Sequence, residues 1–171
     1  GFTLSLYVKL FRSTEIMKAV GNTLIIALVS SAIATVLGTL GAIGVYESKK
    51  HAKRTMEFAN QIPVVTPEIV IALSLTVMFV FFREHLFPNF QFSFWTLLAG
   101  HLVLSTPFVY LNVKPKLEQM DPALYEAALD LGCTPTKALL HTTLPEIAPG
   151  VVSGFLIAIT LSLDDFIVTA F

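Results

Sequence analysis

Residues 126–145 read EAALDLGCTPTKALLHTTLP, and apolar runs long enough to cross a bilayer stand on both sides of them. The stretch itself carries enough polar and charged residues to lie in water. We therefore predict a hydrated connection between two membrane spans. A surface held in that position suits the docking of a soluble partner that passes force or information to the spans.

Four segments reach the length of about 20 helical residues that a bilayer core requires. They are Asn22–Tyr46, Phe58–Phe82, Phe94–Val113 and a segment from Ala148 to the end of the chain. The second contains one charge, Glu68, and Asp164-Asp165 interrupts the fourth. The predicted fold class is an all-α, polytopic transmembrane helix bundle.

Composition agrees with a membrane protein, because the 171 residues are 54% hydrophobic and only 13% charged. Soluble domains carry about a quarter charged residues. The net charge of −1 gives no basic surface for nucleic acid, and one cysteine with four scattered histidines predicts no metal site. The chain starts at Gly1 and has no polar tail, so we expect 1–171 to be one transmembrane domain that is incomplete at both ends.

Basic residues predict the orientation of the spans. The connections between the first and second spans and between the third and fourth carry seven lysines and arginines, against four on the opposite side. The positive-inside rule places both connections in the cytoplasm. On the outer side we expect an amphipathic surface segment at residues 1–21 and a short loop at 83–93.

Two spans contain features with structural consequences. Small residues follow helical spacing in the first span, which predicts close approach of another helix. They are Ser30, Ala34, Gly38, Gly41 and Gly44. Pro63 and Pro67 predict a kinked second span that borders a cavity and can flex there. In the third span, His101 is interpreted as an interhelical hydrogen-bond partner rather than a ligand.

The cytoplasmic connection at 114–147 is predicted to form two short helices. Asp121-Pro122 and Thr134-Pro135 are start signals, and Gly132 fits a left-handed residue that closes the first helix. Leu144-Pro145 is predicted to end the second helix. Leu124, Ala128 and Leu131 share one face of the first helix, and Glu126 and Asp130 share another.

The pattern from Glu126 to Pro145 resembles the signature of permease subunits of type I ATP-binding-cassette importers. In this chain, Thr142 stands where that family has an apolar residue. Residues 63–70, 101–108 and 162–166 resemble the spermidine/putrescine branch more closely. The resemblance implies a six-span protein of which four spans are present, and a coupling helix that docks on an ATPase. The implied coupling residues are Glu126, Ala127, Ala128, Gly132, Leu144 and Pro145.

The same resemblance implies the partners and the location. These are cytoplasmic ATPase subunits that bind ATP and magnesium, a second permease subunit, a periplasmic substrate-binding protein and the lipid of a bacterial inner membrane. No cofactor is expected in this chain and no catalysis, since it contains no GxxxxGK[ST] motif. Two alternatives stay open: an importer of the same class for an aminophosphonate, thiamine or ferric iron, and an ion-coupled secondary transporter or channel.

Glu68, Asp164 and Asp165 are the acids within the apolar runs, and we predict that they line a pathway for a polycation. Counting helical rise from the cytoplasmic side puts Glu68 about 15 Å deep and Asp164 about 24 Å deep. Adjacent residues diverge by about 100° on a helix, so at most one of the two aspartates points squarely at the pathway. The other could cap a helix break, and Glu68 could instead bind backbone amides at the kink.

Overall fold

The computed structural model describes residues 13–86 and 94–165, which form helices and no strands. Seven α-helices follow one another, and π-helical turns at Phe82–Leu86 and Leu139–Thr143 follow the third and sixth. The helices are α1 Thr14–Tyr46, α2 Lys50–Val65, α3 Glu68–Phe81, α4 Phe94–Gln119, α5 Pro122–Asp130, α6 Pro135–Ala138 and α7 Leu144–Asp164. The predicted all-α fold is confirmed.

Three helical stretches are long and apolar enough to cross a membrane: α1, α4, and the continuous stretch Pro135–Asp164 that ends in α7. The pair α2 and α3 makes a fourth candidate, bent by 105° at its break. The chain is a multi-pass membrane protein.

The predicted surface segment at the start of the chain is wrong for the residues that are described. Residues 14–21 belong to α1, which runs unbroken for 33 residues. Residues 1–12, and most of the predicted outer loop at 83–93, lie outside the described residues.

The second span is broken rather than kinked, and the break lies at Thr66 and Pro67. Thr66 has φ −85° and ψ 132°, the extended conformation that a residue before proline favours. Pro63 lies inside α2, which continues to Val65. Only the second proline therefore ends a helix, and α3 starts afresh at Glu68.

The prediction that a helix ends at Leu144-Pro145 is also wrong. The π-helical turn Leu139–Thr143 joins α6 to α7 without a break. Pro145 follows this π-helical turn directly, at the start of α7, and a local π-helical adjustment is one way in which a membrane helix tolerates a proline within it. Within the segment 114–147, residues 114–119 belong to α4 and residues 144–147 belong to α7.

Helices α1, α4 and α7 pack on one another around the fully buried side chain of Val109 on α4. Glycines allow the close approach: a Cβ atom added at Gly38 of α1 would lie 2.7 Å from Cβ of Val109. One added at Gly154 of α7 would lie 3.1 Å from Cα of Val109. Ser30, Ala34 and Gly38 are buried as predicted, whereas Gly41 and Gly44 are exposed.

Side-chain hydroxyls also connect the packed helices. The Ser30 and Ser162 hydroxyls lie 3.1 Å apart and join α1 to α7. The Ser153 hydroxyl donates to Oδ1 of Asn112 at 3.2 Å and joins α7 to α4. Such bonds contribute about 0.6 kcal/mol each within a bilayer, so close packing carries most of the association.

The glycine contact gives a matched test. In Gly38→Ala, the new methyl group meets a buried valine, and overpacking of this kind costs about 1–3 kcal/mol. In Gly41→Ala, nothing lies within 4 Å of the added atom, so the better helix propensity of alanine leaves stability unchanged or slightly raised. Melting temperatures in one detergent would be compared. Equal stability of the two variants contradicts the packing described here.

Candidate functional site

The hydrated turn between α4 and α7 begins with a capped helix, α5. The Asp121 carboxylate accepts a hydrogen bond from the backbone N–H of Ala123 at 3.0 Å, and Pro122 occupies the first turn. This arrangement satisfies an amide that would otherwise lack a helical partner. The predicted start of the helix is confirmed.

Gly132 closes α5 as predicted. Its φ of 86° is in the left-handed region, and it is the only residue with positive φ in the described ranges. The Cys133 N–H bonds the carbonyl of Ala128 at 3.1 Å, and the Gly132 N–H bonds that of Leu129 at 2.9 Å. This pair of bonds is the Schellman motif, which fixes the direction in which the chain leaves the helix.

The residues implied by the resemblance lie along this turn but do not form one cluster. Glu126, Ala127 and Gly132 are exposed, and Ala128 is half-buried. Leu144 packs against the core at the start of α7, next to the exposed Pro145. The first four residues can touch a partner, whereas Leu144 positions the turn on the bundle.

Two sides of α5 have different surroundings. Tyr125 and Leu129 face the bundle and line a cleft of about 340 Å³ between α5 and the ends of α1 and α4. On the other side, Leu124 is 47% exposed and Leu131 is 87% exposed. Apolar side chains displayed on a polar turn are typical of a surface that a partner covers. We call Leu124, Ala127 and Leu131, together with Glu126, which is exposed and also lines the cleft, the elbow surface.

The predicted pathway acids occupy the other end of the bundle. Glu68 is exposed in the first turn of α3 and lines a cleft of about 70 Å³ between the α2–α3 break, α4 and α7. Asp165 lines the same cleft. The α2–α3 pair bends by 105° at the break, and Glu68 at the start of α3 lines one cleft with Asp165 at the end of α7.

Asp164 and Asp165 have different environments, as predicted for adjacent residues. Asp164 ends α7 and is exposed, whereas the Asp165 side chain is only 5% exposed. Oδ2 of Asp165 lies 3.2 Å from Nδ1 of His101 on α4, whose side chain is 3% exposed. The two atoms are close enough for an ion pair if the imidazole is protonated, but their geometry is not that of a hydrogen bond. His101 of α4 thus contacts the residue that follows α7, but its Nδ1 makes no hydrogen bond, so the interhelical hydrogen bond interpreted from the sequence is not observed at this atom.

A second cleft of about 240 Å³ adjoins the first. It is lined by Thr23 of α1, by His101, and by both aspartates. Asp165 therefore borders the two clefts, and a cation moving between them would pass its carboxylate. Among the described residues, no three histidine, cysteine, aspartate or glutamate side chains are placed to hold a metal ion.

An ion cluster between α2 and α4 was not identified from the sequence. Nζ of Lys114 lies 2.7 Å from Oε1 of Glu57 and 3.7 Å from Oε1 of Glu118. Lys114 and Glu118 are spaced by four on α4, a signal that the sequence offers. The sequence does not show that Glu57 belongs to this cluster, because only the fold brings α2 against α4.

Comparisons with known proteins agree with this architecture. The family described as "Binding-protein-dependent transport system inner membrane component" matches residues 34–171. The putrescine transport system permease protein PotI of Escherichia coli (strain K12) is 33% identical over 172 residues, covering 100% of this chain and 61% of the relative. The spermidine/putrescine transport system permease protein PotC of Haemophilus influenzae is 32% identical over 171 residues, covering 100% and 64%.

A more distant relative is the spermidine/putrescine transport system permease protein PotC homolog of Mycoplasma genitalium. It is 28% identical over 149 residues, covering 87% of this chain and 52% of the relative. The chain thus spans between half and two thirds of the length of these curated relatives.

A double-mutant cycle tests the pairing of His101 with Asp165. We expect His101→Asn and Asp165→Asn to be coupled by about 0.5–3 kcal/mol, because the two buried side chains are in contact. The control cycle pairs His101→Asn with Asp164→Asn and should show a coupling near zero, since Asp164 is exposed. Unfolding in mixed micelles titrated with SDS gives the free energies. Equal coupling in both cycles contradicts the assignment.

Proposed function

The chain belongs to the family of binding-protein-dependent transport system inner membrane components, and from that premise we propose that it is a transmembrane subunit of an ATP-driven polyamine importer. It would move putrescine or spermidine across the inner membrane of a bacterium by alternating access. The observation that carries the proposal is the whole-chain similarity to the two polyamine permeases reported above.

The clefts beside Asp165 support a cationic substrate. Polyamines are flexible chains with several ammonium groups, and a route for them needs fixed negative charge at intervals. Glu68 and Asp164 are exposed on either side of the buried Asp165, and the three acids line two adjoining clefts. In the proposed route, the exposed acids bind ammonium groups directly. Asp165, held by His101, places a third carboxyl group at the junction.

The elbow surface is consistent with an ATPase partner on the cytoplasmic side. We propose that ATPase subunits, which bind ATP and magnesium, bind α5 at this surface. A second permease subunit would complete the pathway, a periplasmic binding protein would deliver the substrate, and lipid would cover the outer faces. This chain has no nucleotide-binding motif, so hydrolysis belongs to the partner and the chain itself is no enzyme.

Movement of α5 can reach the clefts through α4. One residue, Met120, separates the end of α4 from the Asp121 cap of α5, and Met120 is buried. A displacement of α5 must therefore move the end of α4, since little chain is available to absorb it. The break at Pro67, opposite α4, is the proposed hinge, and Pro63 keeps the last turn of α2 short of one hydrogen bond.

Transport by the complete complex tests the substrate. We expect uptake of labelled putrescine or spermidine that requires ATP, and a loss of at least tenfold in Asp165→Asn. Glu68→Gln and Asp164→Asn should each raise KM with less effect on the maximal rate, because they remove one of several binding charges. Uptake is measured in proteoliposomes that contain all subunits.

Three results would contradict the proposal. Uptake of an aminophosphonate, thiamine or ferric iron in place of polyamines identifies another importer of the class. Polyamine transport driven by an ion gradient without an ATPase identifies a secondary transporter. Undiminished polyamine uptake in all three acid variants removes the carboxylate route.

The elbow surface has its own test. In Leu131→Ser the permease should fold normally, because this side chain is 87% exposed, but copurification of the ATPase should fall about tenfold. Leu131→Met keeps the apolar surface and should retain the ATPase. Glu126→Arg should uncouple ATP hydrolysis from uptake if a basic groove faces the helix. Normal copurification and coupling in Leu131→Ser and Glu126→Arg contradict the assignment.

A further inference from the structure

The face of α2 that turns toward α4 is polar, which is the reverse of a helix on a soluble protein. Lys53, Glu57 and Asn60 are half-buried on this face, whereas Phe58 is 68% exposed and Ile62 is 51% exposed on the opposite face. In a membrane the apolar face meets lipid, and the polar face meets the protein interior. The interior side of α2 is therefore a polar wall, near the end of α4 that leads to α5.

The Lys114 ammonium group fills the centre of this wall. It lies between the carboxylates of Glu57 and Glu118, at 2.7 Å and 3.7 Å. The shorter distance, between Lys114 and Glu57, is typical of a direct ion pair, but the geometry of the two groups is not that of a hydrogen bond. Two carboxylates thus contact the Lys114 ammonium group, and the side chain of Lys53 lines the same cavity.

Tyr110 gives an independent sign that the place is built for a polar ligand. The residue is 4% exposed, and its buried hydroxyl makes no hydrogen bond with any described residue. Tyr110 lines the same cavity as Glu57, Lys114 and Glu118. The side chains around this cavity fill it and leave no room for a water molecule. A buried hydroxyl without a hydrogen-bond partner is destabilising. The Tyr110 hydroxyl can therefore donate or accept a hydrogen bond if a polar group enters the cavity.

We infer that Glu57, Glu118 and Tyr110 form a release-side subsite for an ammonium group of the substrate, and that Lys114 is a tethered competitor that occupies it between transport events. The inference rests on the proposed function. A terminal amine of a polyamine and the end of a lysine side chain are the same chemical group, an alkylammonium with three N–H donors. Since the cavity has no spare volume, substrate and Lys114 exclude each other.

The arrangement has a functional consequence. A site that binds a polycation well on its way inward would also bind product from the cytoplasm and slow the next cycle. An intramolecular lysine acts at a high effective concentration and displaces a bound amine without leaving the protein. Removing Lys114 should therefore increase inhibition by product, whereas removing Glu57 should decrease it.

The experiment uses the complete complex in proteoliposomes whose ATPase side faces the bath. Binding protein and labelled putrescine are enclosed in the lumen, and unlabelled putrescine is added to the bath. The measured quantity is the bath concentration that halves the initial rate of transport. For Lys114→Gln we expect this concentration to fall about tenfold, and for Glu57→Gln to rise at least threefold. The double variant should resemble Glu57→Gln.

Two further variants guard the interpretation. Lys114→Met keeps the apolar stem of the side chain and should lower the half-inhibiting concentration as Lys114→Gln does. If one of the two variants assembles poorly, the other still gives the measurement. Lys116→Gln removes an equal charge from an exposed position two residues away and should leave the half-inhibiting concentration within twofold of the unmodified complex.

The opposite directions separate this inference from a structural ion pair. If Glu57 and Lys114 only held α2 against α4, both single variants would shift inhibition the same way or not at all, and either result overturns the inference. Putrescine uptake by the unmodified complex with no product inhibition in Lys114→Gln also overturns it. Absence of uptake of both putrescine and spermidine overturns the proposed function, and the inference falls with it.

Discussion

Close approach of three helices at Val109 is the contact on which the rest of the structure depends. Lipid is as apolar as the helix surfaces, so burial of apolar area gives little drive for association within a bilayer. What remains is dispersion between well-fitted surfaces and a few hydrogen bonds. Gly38 and Gly154 bring α1 and α7 against α4 from two sides: a Cβ atom at Gly38 would clash with Val109, and one at Gly154 would make a contact tighter than usual. Both the cleft beside His101 and the end of α4 beside α5 are positioned by this packing.

Proline placement accounts for the departures from a simple bundle of spans. The effect of each proline depends on where it falls: Pro67 follows an extended residue and ends a helix, whereas Pro63 lies within α2 and Pro145 lies in the first turn of α7. Pro145 still lies within the continuous helical stretch Pro135–Asp164, directly after a π-helical turn, and an interior proline requires such a local adjustment. The break before Glu68 frees backbone and a carboxylate at the same point, which is why a polar cleft forms there.

The sequence predicted what depends on local chemistry. Hydropathy identified four spans, and capping rules located Asp121 and Gly132 at the two ends of α5 with correct backbone geometry. It failed where the outcome depends on long-range packing. Nothing local shows that the break falls at Pro67 rather than Pro63, or that Gly41 is exposed while Gly38 is buried. The pairs His101–Asp165 and Lys114–Glu57 join residues far apart in sequence, so only the fold reveals them.

The contacts His101–Asp165 and Lys114–Glu57 lie on one continuous helix, and this gives α4 a role beyond packing. His101 and Lys114 are separated by thirteen residues, or about 20 Å along a helix. The helix that carries them is held by Val109 between α1 and α7 and leads almost directly into α5. A shift of α4 along or about its axis must alter both pairs together, because a packed helix moves as a unit. In the proposed route, loosening Asp165 at the clefts while exposing Glu57 near α5 would be a physical means of passing an ammonium group from one end of α4 toward the other.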